Sequence, residues 1–329
     1  MKRLLVWLLL VICAVNFCAC SSRVYLQDQS DAGFVQLGVY AQEKALAENI
    51  YVLYYQFADT GYLSTDTRYV AEGQNSKTEY NLINALIQGP SSDMAELRGI
   101  INSKTKLLNI TTNRDYIYVT LSKEFLSLPD YAGDNWQNDP KIAARVYQGR
   151  RLAVYAIVNT LTESGTYSRV QIYIDTQGTN SGEKLTRREM GFVGDGRESQ
   201  LLEPLARSMD VVMTPYNALA LFMQMLSENK YDVAYELLAK NLNGAEKVPA
   251  LSDFVSLMSL SPNRIMNYKI KPDFNVSSDA TRVVMLLDYT VQMKDGSVYC
   301  TDIPVVLHRQ NEMWKISYSI LGQYWNIES

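Results

Sequence analysis

Apolar positions recur along this chain in two periods, and the switches between them lay out its elements. Leu82, Ile83, Leu86 and Ile87 share one helical stripe. Ser76 and Glu79 precede it with the spacing of a capping box, in which hydroxyl and carboxylate each satisfy an orphan backbone N–H. Gly89 supplies the left-handed residue that closes the helix, and Pro90 forbids its continuation. Two β runs follow, at 106–112 and 116–121, with Asn113-Arg114-Asp115 as a tight turn between them. Upstream, 49–57 reads as β-rich and 68–71 as a second short strand. Downstream, Asp139-Pro140 starts a long helix, with Asp as cap and Pro where its missing donor costs nothing. Its inner face is Ile142, Val146, Gly149, Ala153, Ile157 and Leu161, small enough in the middle to predict a close approach to its neighbour. A strand at 168–175 puts Val170, Ile172 and Ile174 on one side. The order β-β-α-β-β-α-β predicts an α+β sandwich with both helices on one sheet face.

Residues 176–213 are rich in Gly, Ser and charge, with Leu201, Leu202 and Leu205 as main apolar points, and read as a linker partly laid on one domain. Thr214-Pro215 caps another helix, with Leu219, Phe222, Met225 and Leu226 on its apolar face. Further helices are expected at 231–239 and 252–260. The period then changes to two: Val283, Met285, Leu287, Tyr289, Val291 and Met293 alternate along one strand. Asp295-Gly296 is a hairpin signal, 298–309 returns, and Asn311 turns the chain again. Trp314, Ile316, Tyr318 and Ile320 alternate to the end. The expected fold class is α+β in two domains, a small helix-on-sheet sandwich and then an α-then-antiparallel-β cone. Their bounds are 49–175 and 214–329.

The chain opens with Lys2 and Arg3, then an apolar run over 4–15 that is too short for a membrane-spanning helix but suits a signal peptide. Phe17-Cys18-Ala19-Cys20 follows, then Ser21-Ser22; a small residue just before a cysteine resembles a lipobox. Residues 1–20 are therefore read as a lipoprotein signal peptide, Cys20 as the lipid-bearing residue, and 21–48 as a tether. Acyl chains attached there would hold the protein on a membrane at about 0.8 kcal/mol per buried methylene. The expected address is the extracytoplasmic face of the cell membrane.

The helix ending in Leu86-Ile87-x-Gly89-Pro90, the run Thr105-Lys106-Leu107-Leu108-Asn109 and the strand closing as Val119-Thr120-Leu121-Ser122-x-x-Phe125 together resemble the GerM (GerMN) domain of sporulation and germination lipoproteins. The resemblance runs from about residue 50 to 175. It implies an envelope or sporulation role, and GerM-type domains are similar to ring-building folds of secretion-type assemblies. In the second half, Ala218-Leu219-x-x-Phe222, then Tyr231-x-x-Ala234-Tyr235-x-Leu237-Leu238, and a meander closing on Trp314-Lys315-Ile316, are similar to the nuclear-transport-factor-two-like cone fold.

Composition narrows the chemistry. The formal charge is −4, with no basic cluster and no basic-aromatic pattern, so no nucleic-acid partner is expected. Of 4 cysteines, Cys13 and Cys18 leave with the signal and Cys20 takes the lipid, so Cys300 alone remains and no internal disulfide is expected. One histidine, His308, and one cysteine are too few for a transition-metal site, and no nucleophile elbow accompanies His308. Asp130, Asp134, Asn135, Asn138 and Asp139 crowd one loop without EF-hand spacing. Asp93, Glu96, Glu124 and Asp288 are acids without a motif; Asp288 would be a perturbed catalytic acid only if the even positions of its strand faced inward. Tyr51, Tyr54 and Tyr55 could form a carbohydrate or peptide platform, or pack as sheet residues. The expectation is a non-enzymatic membrane-anchored component without metal or cofactor, partnered by an envelope protein complex or cell-wall polymer. The alternative is a cone with a pocket lined by Met285, Met293, Tyr289 and Trp314, serving a ligand or a reaction.

Overall fold

A computed structural model describes residues 50–70, 77–240, 242 and 247–321. Strand β1 (Ile50–Phe57) is central to the first half because it is buried on both faces. Leu53, Tyr55 and Phe57 enter one apolar cluster, while Val52 and Tyr54 enter another with Leu63, Leu152 and Ala156. Strand β2 (Leu63–Tyr69) pairs antiparallel with β1 from Ile50 opposite Tyr69 to Gln56 opposite Leu63, so it starts five residues earlier than the expected 68. The polar inner residues of β2 hide it from an apolar pattern: Asp66, 3% exposed, accepts from the backbone N–H of Ser91 at 2.8 Å.

Helix α1 (Thr78–Gln88) buries Leu82, Ile83 and Leu86 as expected and ends at Gly89, whose φ of 99° is the conformation that favours glycine. Ser76 lies outside the described residues, and Glu79 accepts from the Tyr167 hydroxyl at 2.6 Å. After the short β3 (Leu97–Arg98), β4 (Leu107–Asn113) and β5 (Tyr116–Ser122) form the expected hairpin, with Arg114 at φ 56° in its turn. Asp139 caps α2 (Pro140–Thr162), accepting from the N–H groups of Lys141 and Ile142. The crossover through α2 makes β6 (Arg169–Asp175) parallel to β5, as a helical connection permits.

The expected single sheet is instead two three-stranded sheets, ordered β2-β1-β3 and β4-β5-β6. Helix α1 packs on β1 and β4, and α2 on β1 and β6, so both helices touch both sheets. The second half of α2 is accordingly enclosed on nearly every side, from Leu152 to Thr162, rather than along one stripe. It also covers an edge of β1, where Thr160 Oγ1 accepts the Tyr54 N–H at 3.1 Å.

Residues 176–213 are laid along the first half. Leu205 bridges Val170, Glu183 bridges Ile174, and Val212 bridges Leu63. A Cβ on Gly182 would meet Thr120 and Tyr173 at 2.6 Å, so the backbone there lies flat on the outer face of the β4-β5-β6 sheet. Leu185, Met190, Phe192 and Leu202, with Val211, Val212 and Met213 at its end, are buried, whereas Leu201 is 51% exposed.

Thr214 caps α3 (Pro215–Ser227), accepting from Asn217 N–H, and the expected Leu219, Phe222, Met225 and Leu226 are buried. Helices α4 (Tyr231–Glu236) and α5 (Leu251–Leu260) follow. A four-stranded antiparallel sheet then runs β10-β9-β8-β7, formed by β7 (Arg264–Val276), β8 (Arg282–Met293), β9 (Gly296–Gln310) and β10 (Met313–Ile316). The alternation of β8 is as expected, with Val283, Met285, Leu287, Tyr289 and Val291 buried. The last strand stops at Ile316, where a helical turn begins to form at 319–321, so Tyr318 and Ile320 are buried from a turn rather than from a strand. One continuous apolar cluster joins Leu53 and Ile83 of the first half to Phe222, Leu287 and Ile316 of the second.

Candidate functional site

Cys20 lies outside the described residues. The other sequence candidates are resolved by their neighbours. The odd positions of β8 face the core, so Asp288 is on the opposite face, where it accepts from Asp302 N–H at 2.8 Å and Thr301 Oγ1 at 3.0 Å and sits 3.3 Å from Lys271. The backbone donor of Asp302, with Thr301 and Lys271, holds its carboxyl below the usual carboxylate range, the opposite of a general acid. Tyr54 and Tyr55 form no platform. Their rings are buried, the Tyr54 hydroxyl donates to Glu163 at 2.6 Å, and that of Tyr55 donates to the Ala85 carbonyl at 2.9 Å. Met285, Tyr289 and Trp314 are buried in the core, with Met293 packed against it. Asp139 is the α2 cap, and Cys300 stands half-buried on β9 opposite Tyr289.

A cleft of about 400 Å³ opens beside the first half of α2, against the end of β1 and the loops at 99–102 and 125–131. Its floor is apolar: Ile101, Phe125, Val146 and Ala153 are all buried. Its rim is charged and polar. The Arg145 guanidinium pairs with Asp59 and lies over the Tyr131 ring, 4.2 Å from its centroid. About one and a half turns on, Arg150 donates to the Leu126 carbonyl at 3.0 Å and the Glu189 carbonyl at 3.2 Å and stands over Trp136. Its Nε makes no hydrogen bond among the described residues, and burial pulls the guanidinium below its usual pKa.

Gly149 lies between these arginines, and it does not serve the close helix approach expected of it. A Cβ there would meet no atom within 4 Å, so the position faces the open cleft. A glycine inside a helix was the one sequence signal that could have found this site.

A second feature is the outer side of β4, which ends its sheet and pairs with no other strand among the described residues. Asn109, Thr111, Thr112 and Asn113 are exposed. One bulge, at 107–109, interrupts the ladder, and neither charge nor proline follows it within the strand.

Comparison with known proteins places this half. Residues 52–178 match the family model Germane, described as sporulation and spore germination. Among solved structures, the tandem GerMN domains of the sporulation protein GerM from Bacillus subtilis are 15% identical over 50% of this chain, with a TM-score of 0.32. The chain covers 46% of that structure, just under half its length. The first GerMN domain of the same protein is 17% identical, over 39% of this chain and 83% of its own, with a TM-score of 0.27. A Clostridium perfringens protein provisionally described as a lipoprotein is 20% identical, over 49% of this chain and 89% of its own, at a TM-score of 0.26. No curated protein matches the chain. The stretch that matches the Germane family model, residues 52–178, is the one built from strands β1 to β6 with helices α1 and α2.

Proposed function

We propose that this protein is a non-catalytic binding and assembly component of the cell envelope, acting in sporulation or germination and held on the outer side of the membrane by a lipid on Cys20. The observation that carries the reading is the Germane match together with a β4 edge that no described strand pairs. Edges kept free of partners usually bear lysine, proline or a covering element, because their unpaired N–H and C=O groups template another strand. The uncharged stretch Asn109-Ile110-Thr111-Thr112 carries three β-branched residues and suits addition of a strand from an envelope protein. The lipid anchor follows from the apolar run and the Ala19-Cys20 junction. No helix among the described residues is long and apolar enough to cross a membrane.

The test is affinity capture of the tagged full chain from membranes of growing and sporulating native cells. An envelope protein recovered with the wild type and lost with Thr112→Lys supports the reading. Recovery of no partner at either stage overturns it, and mass spectrometry finding an unacylated Cys20 overturns the anchor.

A further inference from the structure

We propose that the cleft beside α2 binds a short peptide or peptide-like molecule through a free terminal carboxylate. The inference rests on the reading of the protein as a binding component but not on its β4 edge.

Gly149 stands inside α2 with no side chain to offer and no neighbour against it. Glycine inside a helix costs stability relative to alanine, and the usual compensation is a neighbour pressed against the bare backbone. Here no atom lies within 4 Å of where a Cβ would stand, so no packing requirement explains it. What the missing side chain preserves is open space in front of the helix, between two arginines one and a half turns apart.

Charge supplies the second argument. The walls carry two guanidinium groups, of Arg145 and Arg150, and one carboxylate, of Asp59. The Arg145–Asp59 pair is solvent-exposed on both sides, with side chains 48% and 71% exposed, so a ligand carboxylate can replace Asp59 at little cost. Guanidinium is the group best shaped for bidentate capture of a carboxylate.

The remaining lining suits the rest of such a ligand: Asn102, Ser127 and Gln148 add polar side chains to the walls, and buried Ile101, Phe125 and Val146 suit a small apolar side chain. The volume of about 400 Å³ is in the range of small-molecule sites.

Calorimetric titration of the mature full chain with N-acetyl-alanyl-alanine and with its C-terminal amide tests the proposal. The acid is expected to bind at least about tenfold more tightly than the amide, the loss of one charge-assisted contact. Arg145→Met should abolish that preference. Gly149→Leu should fill the cleft and abolish binding while melting no lower than the wild type. Equal affinity for acid and amide, no binding of either, or a stable Gly149→Leu variant that still binds would each overturn it. Loss of this ligand while Thr112→Lys still abolishes partner capture would leave the assembly reading standing, and the converse would leave the ligand site.

Discussion

The ammonium of Lys315, on β10, lies 3.4 Å from the carboxylate of Glu96, 219 residues earlier in the chain. Lys315 is 4% exposed, donates to the Glu236 carbonyl at 2.7 Å, and sits 4.9 Å above the Phe57 ring. Burial pulls its pKa below the usual lysine value, and Glu96 offsets part of that pull. This contact ties the last sheet to the first half of the chain. Its partners are unequal, because Glu96 keeps 24% of its side-chain surface in water while Lys315 is enclosed. Removing the acid strands a buried charge; removing the base lets the acid rehydrate. Glu96→Gln should therefore cost about 1–3 kcal/mol, and Lys315→Met should be within about 1 kcal/mol of neutral. Urea denaturation of both variants checks the asymmetry, and a larger loss for Lys315→Met would contradict it.

Tyr54 bridges Glu163 and Arg207. Its hydroxyl donates to Glu163 at 2.6 Å and accepts from Arg207 at 2.7 Å, while the two charged groups lie 2.6 Å apart. Tyr54→Phe should cost about 1–2 kcal/mol at neutral pH. Burial and the adjacent Glu163 raise the phenol pKa, so the folded chain keeps a proton that the unfolded chain releases near the ordinary phenol value. Stability is thus fully present below that value and falls as pH rises through it. Tyr54→Phe should show a shallower alkaline loss than the wild type in melting temperatures taken across that range.

The α2 cap can be tested alone. Asp139 accepts from Lys141 N–H at 2.8 Å and Ile142 N–H at 3.2 Å at an exposed position. Asp139→Ala should lower stability by about 1 kcal/mol, and Asp139→Ser should restore most of it. Thermal melts of the two variants read this directly.

Gly149→Ala should do the reverse. The new methyl meets nothing, and alanine is the better helix former, so stability should rise by about 0.5–1 kcal/mol. A fall in the denaturation midpoint would show that the open space is not as described.

Local chemistry is legible in the residues themselves. The closures at Gly89-Pro90, the caps at Asp139 and Thr214, the hairpin turn at Arg114 and the alternation of β8 each depend on residues a few positions apart, whose dihedrals and hydrogen bonds are set locally. The α+β class follows from their order. Strand β7 is not legible in this way. It is polar, contains Pro272, and breaks register between Ile265 and Asn267 and again between Ile270 and Phe274, so no single period runs through it.

What the tertiary structure alone decided is which surfaces meet. No residue pattern divides six strands into two sheets, buries β1 on both faces, or brings Lys315 to Glu96. Nor does a helical stripe tell whether Gly149 faces a neighbour or an open cleft. Capping and turning are decided within a few residues of chain, whereas sheet membership, burial of charge and the walls of a cleft are decided by residues brought together from far along it, and they exist only once the whole chain has packed.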